Sequence, residues 1–442
     1  MKNKCIKMVL IPAMVSICLN VWSQIPISSV EDLQKIGRDD AYPLQGASYY
    51  LTNDIDLTEV DDWVPIGATS ASTPGGGQFE GIFDGKGYCI KNLTITSSNA
   101  GFKGLFIRLY NSQVKDLDLV NVNIKGSVPV GGISGAMIGE THIERVSVTG
   151  TIEGEREVGG IVGRIARNNI KTGYNQIYDC YVNANIKATS QSTNMNEPSC
   201  AAGIAAYTHS TQGNSVAKID IRRVYVTGSI TSEQKTNTAG NAAGILAFYD
   251  SHNFIKMEEV LVLSDTIGSA TSNLFFCRRG ATYAEFELFD KVYARTGIIL
   301  NYLSQTDKGR GGEIPDGIIN YLPLADFTTK QFYEDNVSWD FDDVWTMTEG
   351  SLPVLKRTPD ELTKNSSILE KDKKYMLATD TKGIVLTPVS SEISVQIFSA
   401  IGAQLYAVKN LRDQTSIPLS QGIYVVRLSY NGKNAVEKII VR

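Results

Sequence analysis

Histidine is scarce: the chain holds three in 442 residues, His142, His209 and His252. None lies in the H-E-x-x-H spacing of a zinc metalloprotease, and neither G-x-S-x-G nor G-x-x-x-x-G-K-[ST] occurs. The motif-borne routes to metal, acyl and phosphoryl chemistry therefore have no support in the sequence. Cysteine is sparse as well. Of six, Cys5 and Cys18 lie in the N-terminal leader described below, leaving Cys89, Cys180, Cys200 and Cys277. These are too far apart for a small disulfide scaffold and include no C-x-x-C, so zinc has no case and buried thiols are expected. Beyond residue 23 no run is apolar enough to span a bilayer. Asp and Glu number 47 against 42 Lys and Arg, which leaves nucleic acid and anionic membranes without an electrostatic case. These absences carry the expectation that the chain is no enzyme and holds no metal or cofactor.

What is present begins with a leader. Lys2, Lys4 and Lys7 precede an apolar stretch over residues 8–21, followed by Val21-Trp22-Ser23. A charged start, an apolar middle and a small residue at the cut describe a secretory signal over residues 1–23. The apolar stretch is too short for a membrane anchor and contains Pro12 and Asn20. Ile17 is too bulky to precede a lipid-modified Cys18.

Next comes a repeat. Gly-Gly-Ile-x-Gly stands at residues 131–135 and again at 159–163. Between such phrases run segments alternating apolar and polar residues. One column reads Leu117, Val146, Cys180, Val224, Val260, Val292; the next reads Leu119, Val148, Val182, Val226, Val262, Ala294. A third reads Ile124, Ile152, Ile186, Ile230, Ile267, and the Gly-Ile phrase contributes Leu105, Ile133, Ile161, Ile204, Ile245, Leu274 at steps of 28 to 43 residues. A period of this size with two-residue alternation indicates a solenoid whose small aliphatic columns stack inward. The fold expected is all-β: a parallel β-helix of about seven coils over residues 24–356, since a four-stranded propeller blade does not fit a 28-residue step. Cys180 occupies an aliphatic column and serves as a small hydrophobe.

These phrases resemble the GLUG motif repeats of bacterial surface proteins, and residues 49–95 and 327–356 resemble that family's opening and closing modules. Coils four and five depart from it, with Ala202-Gly203-Ile204 and Ala243-Gly244-Ile245 in place of the double glycine. The resemblance implies an extracellular β-helix and no fixed ligand. The flanks are expected to act as caps: Ser29 as the N-cap of a short helix ended at Gly37, a capping box at Thr328 and Gln331, and Trp339, Phe341 and Trp345 as bulk that closes the core.

Residues 357–375 are charged and poor in large apolar side chains, which marks a linker. Short strand-like segments return over 376–442, with Asn431-Gly432 between the last two, and suggest an Ig-like β-sandwich. Within 392–442, "IFSAIGAQLY", "LSQGIYVVRL" and "GKNAVEKIIVR" resemble the C-terminal sorting domain of type IX secretion cargo. That resemblance implies the outer-membrane secretion machinery as a partner and a secreted or cell-surface location. The other reading is an ordinary Ig-like module.

For binding, Tyr181, Tyr225 and Tyr293 fall between the first two inward columns and are expected on one outer face, suited to sugar or protein; the other reading is that the rings stack on each other or lie under the C-terminal segment. The inserts at 187–201 and 231–241 emerge at one corner. His209, Asp250 and His252 come from neighbouring coils and form a weaker candidate. The acidic groups at Asp54, Asp56, Asp61 and Asp62, and at Asp340, Asp342 and Asp343, lack calcium-loop spacing and read as solvated loops. Three functions stand open: a non-catalytic adhesin binding a glycan or a host or matrix protein, a polysaccharide-degrading β-helix enzyme, and a passive surface rod.

Overall fold

The aligned phrases are long parallel strands. Gln113–Lys125, His142–Gly154, Asn175–Ser190, Lys218–Thr227, Asn253–Val262 and Ala284–Arg295 follow one another in a single sheet. In the computed structural model the residues described are 23–357 and 375–441. Excepted are 69–76, 97–100, 167–172, 194–198, 210–216, 236–239, 250–252, 270, 274–275, 279–283 and 303–318, and in the tail 381–382, 389–392, 400–403, 413–414, 420–421 and 431–432. The chain divides into two compact units, 1–356 and 357–442.

The first unit is a parallel β-helix. Its longest sheet runs through Ser23–Ile27, Gln45–Leu51 and Glu80–Asp84, continues through the six strands above and ends at Ile319–Leu322. The stack is thus ten strands deep on this path, more than the seven coils expected, because the opening module adds three rungs. Its helix, Val30–Lys35, is capped by the Ser29 hydroxyl accepting from Asp32 N–H, and Gly37 follows at φ +76°. Leu33 and Ile36 join the common core. A second sheet stacks Phe106–Tyr110, Ser134–Ile138, Val162–Ala166, Ala205–His209, Leu246–Tyr249 and Phe276–Arg278. A third stacks Val130–Gly131, Val158–Gly159, Cys200–Ala202, Asn241–Ala243 and Thr271–Asn273.

The columns hold in register. Val148 pairs with Leu119 and Val182, Val182 with Val226, Val226 with Val262, and Val262 with Ala294. Ile124, Ile152, Ile186, Ile230 and Ile267 pair in the same order. All are buried, as is Cys180. Like stacks on like because each coil repeats the backbone of the one below, and aliphatic side chains of equal size then fill one layer each without voids. The second glycine of the repeated phrase is the one that coils four and five keep. A Cβ on Gly132 would come 2.5 Å from the Gly160 carbonyl oxygen of the next coil, and the corresponding oxygen crowds Gly160 and Gly203. Alanine stands at the first position, as Ala202 and Ala243, both buried. Burial at the inner ends of these coils lifts the Cys180 thiol far above its ordinary range, so it is packing material and not a nucleophile.

The closing segment differs from expectation in two ways. The helix Lys330–Asn336 is capped by Thr329, whose hydroxyl accepts from Phe332 N–H, while Gln331 donates to Asp335; Thr328 and Gln331 form no reciprocal box. Trp339 and Trp345 do not plug the end of the rod. With Phe327, Phe332, Tyr333 and Leu355 they build a second core on its flank.

The second unit has its own core. Tyr375–Asp380, Gly383–Pro388 and Thr415–Pro418 form one antiparallel sheet; Gln404–Leu411, Ile393–Ser399, Gly422–Tyr430 and Lys433–Val441 form the other. Ile384, Leu386 and Ile417 from the first meet Val395, Ile397, Val426 and Leu428 from the second, which makes a sandwich. The pairing of Tyr430 with Lys433 leaves two residues between the last strands.

Candidate binding face

The expected aromatic face is not available to a ligand. Tyr181, Tyr225, Leu261 and Tyr293 do lie in register on one side, and Tyr181 and Tyr225 stack at 5.1 Å with an interplanar angle of 3°. But Tyr225 is 3% and Tyr293 7% exposed. The segment ending at Leu355 lies over them: Tyr225 Oη donates to the Pro353 carbonyl at 2.7 Å, and Phe332 meets Tyr293 edge-on at 5.1 Å. Desolvation raises the Tyr225 phenol well above its usual value. These side chains point out of the coil yet into the protein. The correction has a plain cause, since a row of large apolar rings left in water costs hydrophobic free energy that a covering strand recovers.

The histidine candidate is not assembled by the described residues. The backbone of His209 ends the strand Ala205–His209 opposite Ala166, and Asp250 and His252 lie outside the described residues. Among the described residues no group of three or more His, Cys, Asp and Glu could hold a metal. The acidic groups serve their own loops. Asp54 holds Lys91 at 2.9 Å and accepts from Cys89 N–H; burial alone would raise its carboxyl, but these partners outweigh that and hold it at about 2. Asp56 accepts from Thr58 and Asn92, and Asp340 from the backbone of Asp342 and Asp343.

A different surface is open. Beyond the second column four coils turn a corner and present three outward positions each, exposed where they are Asn and Lys and half-buried where they are Thr, Ser and Glu. On successive coils these read Asn121, Asn123, Lys125, then Thr149, Thr151, Glu153, then Asn183, Asn185, Lys187, then Thr227, Ser229, Thr231. Pairing of Thr151 with Asn123 and Asn185, and of Glu153 with Lys125 and Lys187, sets them in rows. Ile124, Ile152, Ile186 and Ile230 lie beneath and fix the strands. The rows are about 4.8 Å apart between coils and about 6.6 Å along each strand. Asn121 and its neighbours are tied laterally: its amide donates to Asn92 Oδ1 at 2.7 Å, and its backbone N–H donates to Thr149 Oγ1 at 3.0 Å.

At the edge of this face lies a shallow cleft of about 330 Å³ lined by Lys125, Gly126, Glu153, Gly154, Lys187 and Thr189. Lys125 meets Glu153 at 3.4 Å and Lys187 meets Glu233 at 3.4 Å. Gly126 and Gly154 supply its floor. The face therefore offers amide, hydroxyl, ammonium and carboxylate groups on a rigid grid, the equipment for hydrogen bonding to a polar chain laid across several coils. Its signal was in the sequence: the residues between the second and third inward columns are Asn and Thr in coil after coil. The aromatic positions between the first two columns drew attention away from them.

Comparison with known proteins places this geometry. Residues 378–442 match the secretion system C-terminal sorting domain, which implies secretion and attachment at the cell surface. No helix among the described residues is long and apolar enough to cross a membrane. Among curated proteins the chain is 33% identical to halomucin of Haloquadratum walsbyi over 152 residues, which is 33% of this chain and 2% of that one. It is 34% identical to the immunoglobulin A1 protease of Streptococcus sanguinis over 127 residues, 28% of this chain and 6% of the relative. The chain thus spans only a few per cent of the curated relatives it matches. Among solved structures, a Bacteroides ovatus protein provisionally named an immunoglobulin A1 protease aligns with a TM-score of 0.53 and 19% identity, covering 75% of this chain and 91% of that one. That likeness concerns the fold. The expectation that the chain is no enzyme is overturned by these matches: several partial relatives, and the solved structure of like fold, carry the name of a protease.

Proposed function

We propose that this chain is a secreted, surface-attached β-helix protein of GLUG-repeat type that engages an extracellular glycoprotein through its Asn/Thr/Lys/Glu face. The observation that carries the reading is that face itself: four coils set polar side chains in rows, exposed at the Asn and Lys positions and half-buried at the Thr, Ser and Glu positions, on a buried aliphatic support. A sorting tail delivers such a face to the medium, where a protein partner is met. Partial likeness to proteins named immunoglobulin A1 protease makes immunoglobulin A1 the first partner to try, and the second reading is that the chain takes part in cleaving it.

One experiment separates the readings. Immobilised immunoglobulin A1 is exposed to the secreted chain, and the same mixture is run on a denaturing gel after prolonged incubation. Saturable binding that falls at least tenfold in the variant Asn123→Ala/Thr151→Ala/Asn185→Ala, with an unchanged melting temperature, is the expected result. Binding unaffected by the triple substitution removes the face from the function. New heavy-chain fragments that appear with the wild-type chain favour the second reading.

A further inference from the structure

The second sheet carries a cation with no counterion among the described residues. On its outer side Arg108, Ala136, Arg164 and Tyr207 stand in one row across four successive coils. Arg164 is neutralised: it forms a two-pronged pair with Glu157 at 2.6 and 2.5 Å and lies over the Tyr207 ring at 5.7 Å. Arg145, Arg222, Arg223 and Arg295 each hold a carboxylate too. The Arg108 side chain forms neither an ion pair nor a hydrogen bond among the described residues; its backbone carbonyl accepts from Phe79 N–H. Its guanidinium lies 4.3 Å from the centre of the Phe102 ring, and it feels burial and the like charge of Arg164, both of which weaken its hold on its proton. Phe102 is pressed onto the strand, because a Cβ on Gly135 would come 2.5 Å from it. The ring and the guanidinium are thus set in place together.

A half-buried guanidinium with no carboxylate beside it among the described residues is unfavourable unless an anion completes it. Stacking on Phe102 occupies the flat face of Arg108 and leaves its N–H edge in the plane, which is the geometry that grips a carboxylate with two parallel hydrogen bonds. Tyr110 and Ile138, half-buried in the adjoining outward row, add an apolar shelf beside it. From this arrangement we infer that Arg108, with Phe102 and Tyr110, forms a site for a carboxylate-bearing sugar, separate from the Asn/Thr/Lys/Glu face. The carboxylate takes the Arg108 edge, and the C–H face of the sugar ring lies on the aromatic shelf.

The probe is 3′-sialyllactose, titrated calorimetrically into the secreted chain, with lactose and sulfated lactose alongside. Binding of the sialylated sugar alone is expected, with loss in Arg108→Ala, at least a tenfold weakening in Arg108→Lys, and no change in the triple variant of the polar face. Because the Arg108 guanidinium has no ion-pair or hydrogen-bond partner among the described residues and loses only its contact with Phe102, both Arg108 variants should melt within about 2 °C of the wild type, which separates a lost site from a lost fold. Equal binding of lactose, equal binding of the sulfate ester, full retention in Arg108→Lys, or no binding of sialyllactose would each overturn the assignment. Failure of the immunoglobulin experiment leaves it standing, since the two surfaces share no residue.

Discussion

Each coil takes one corner on a residue that ought to resist it. Asp116, Arg145, Asp179, Arg223, Glu259 and Lys291 all sit at φ between 49° and 57°, the left-handed region that costs a non-glycine residue roughly 1–2 kcal/mol. The charges alternate along the stack, and neighbours pair: Arg145 with Asp116 at 2.5 Å, Arg223 with Asp179 at 2.7 Å, Lys291 with Glu259 at 2.9 Å. Hydrogen bonds that Arg145, Arg223 and Lys291 donate to these carboxylates raise their pKa values, led in each case by the paired acid. A slip of one coil would set acid against acid and base against base, so the row opposes misregister as well as joining coils. Asp179 is the test. It is 7% exposed and accepts from both Arg223 and the Trp345 indole at 3.2 Å. Asp179→Ala strands a buried indole N–H and a guanidinium; a loss of about 2–3 kcal/mol is expected, below the full buried-pair figure because water reaches part of the Arg223 side chain. Urea denaturation followed by tryptophan fluorescence reads it. An unchanged midpoint would show that the pair contributes nothing beyond the packing around it.

Among the elements, the ones legible in the sequence are those that repeat. Leu119, Val148, Val182 and Val226 announce their strand because period and register are visible in a single line of residues, and Ser29 announces its helix because a cap is a local hydrogen bond. The flank of the rod is different. Residues 332–355 cover Tyr293 and Tyr225, Phe332 from about 40 positions away and Pro353 from 128, and no periodicity ties a covering segment to what it covers. Reading Tyr181, Tyr225 and Tyr293 as a binding surface needed one fact that alternation does not contain, namely what lies on top. The same holds for the Thr329 cap, where tertiary packing chose one hydroxyl over its neighbour. The covered stack predicts stability and not adhesion. Trp345 is fully buried, stacks on Trp339 at 4.5 Å and lies 6.2 Å from Tyr225, so Trp345→Ala should cost about 3–5 kcal/mol through lost contacts and a cavity. The measurement is the thermal transition of the secreted chain together with binding of a hydrophobic dye at 25 °C. Dye binding should rise as the Tyr181/Tyr225 stack is bared; a variant that melts like the wild type and binds no dye would mean that the segment merely rests on the rod.

On the scale of the whole molecule, the β-helix and the sandwich share no core residue and answer to two tasks. The β-helix buries a continuous column from Ile27 to Ala294, and the sandwich closes around Ile384, Val395, Val426 and Leu428. A rod whose coils satisfy one another's backbone groups needs nothing from a separate sandwich in order to fold, and a sorting domain has to remain readable whatever cargo precedes it. Deleting residues 357–442 should therefore leave the melting temperature of the β-helix within a degree or two of its value in the full chain, while removing the protein from the cell surface. Both halves can be read from one strain pair. Protease added to intact cells should degrade the full chain and spare the truncated one, and release of the periplasmic contents should then yield truncated protein that melts cooperatively. Truncated protein on the surface in normal amount would show that export does not run through residues 378–442. Truncated protein retained but aggregated would show instead that the rod depends on its tail for folding, and the independence of the two cores would be wrong.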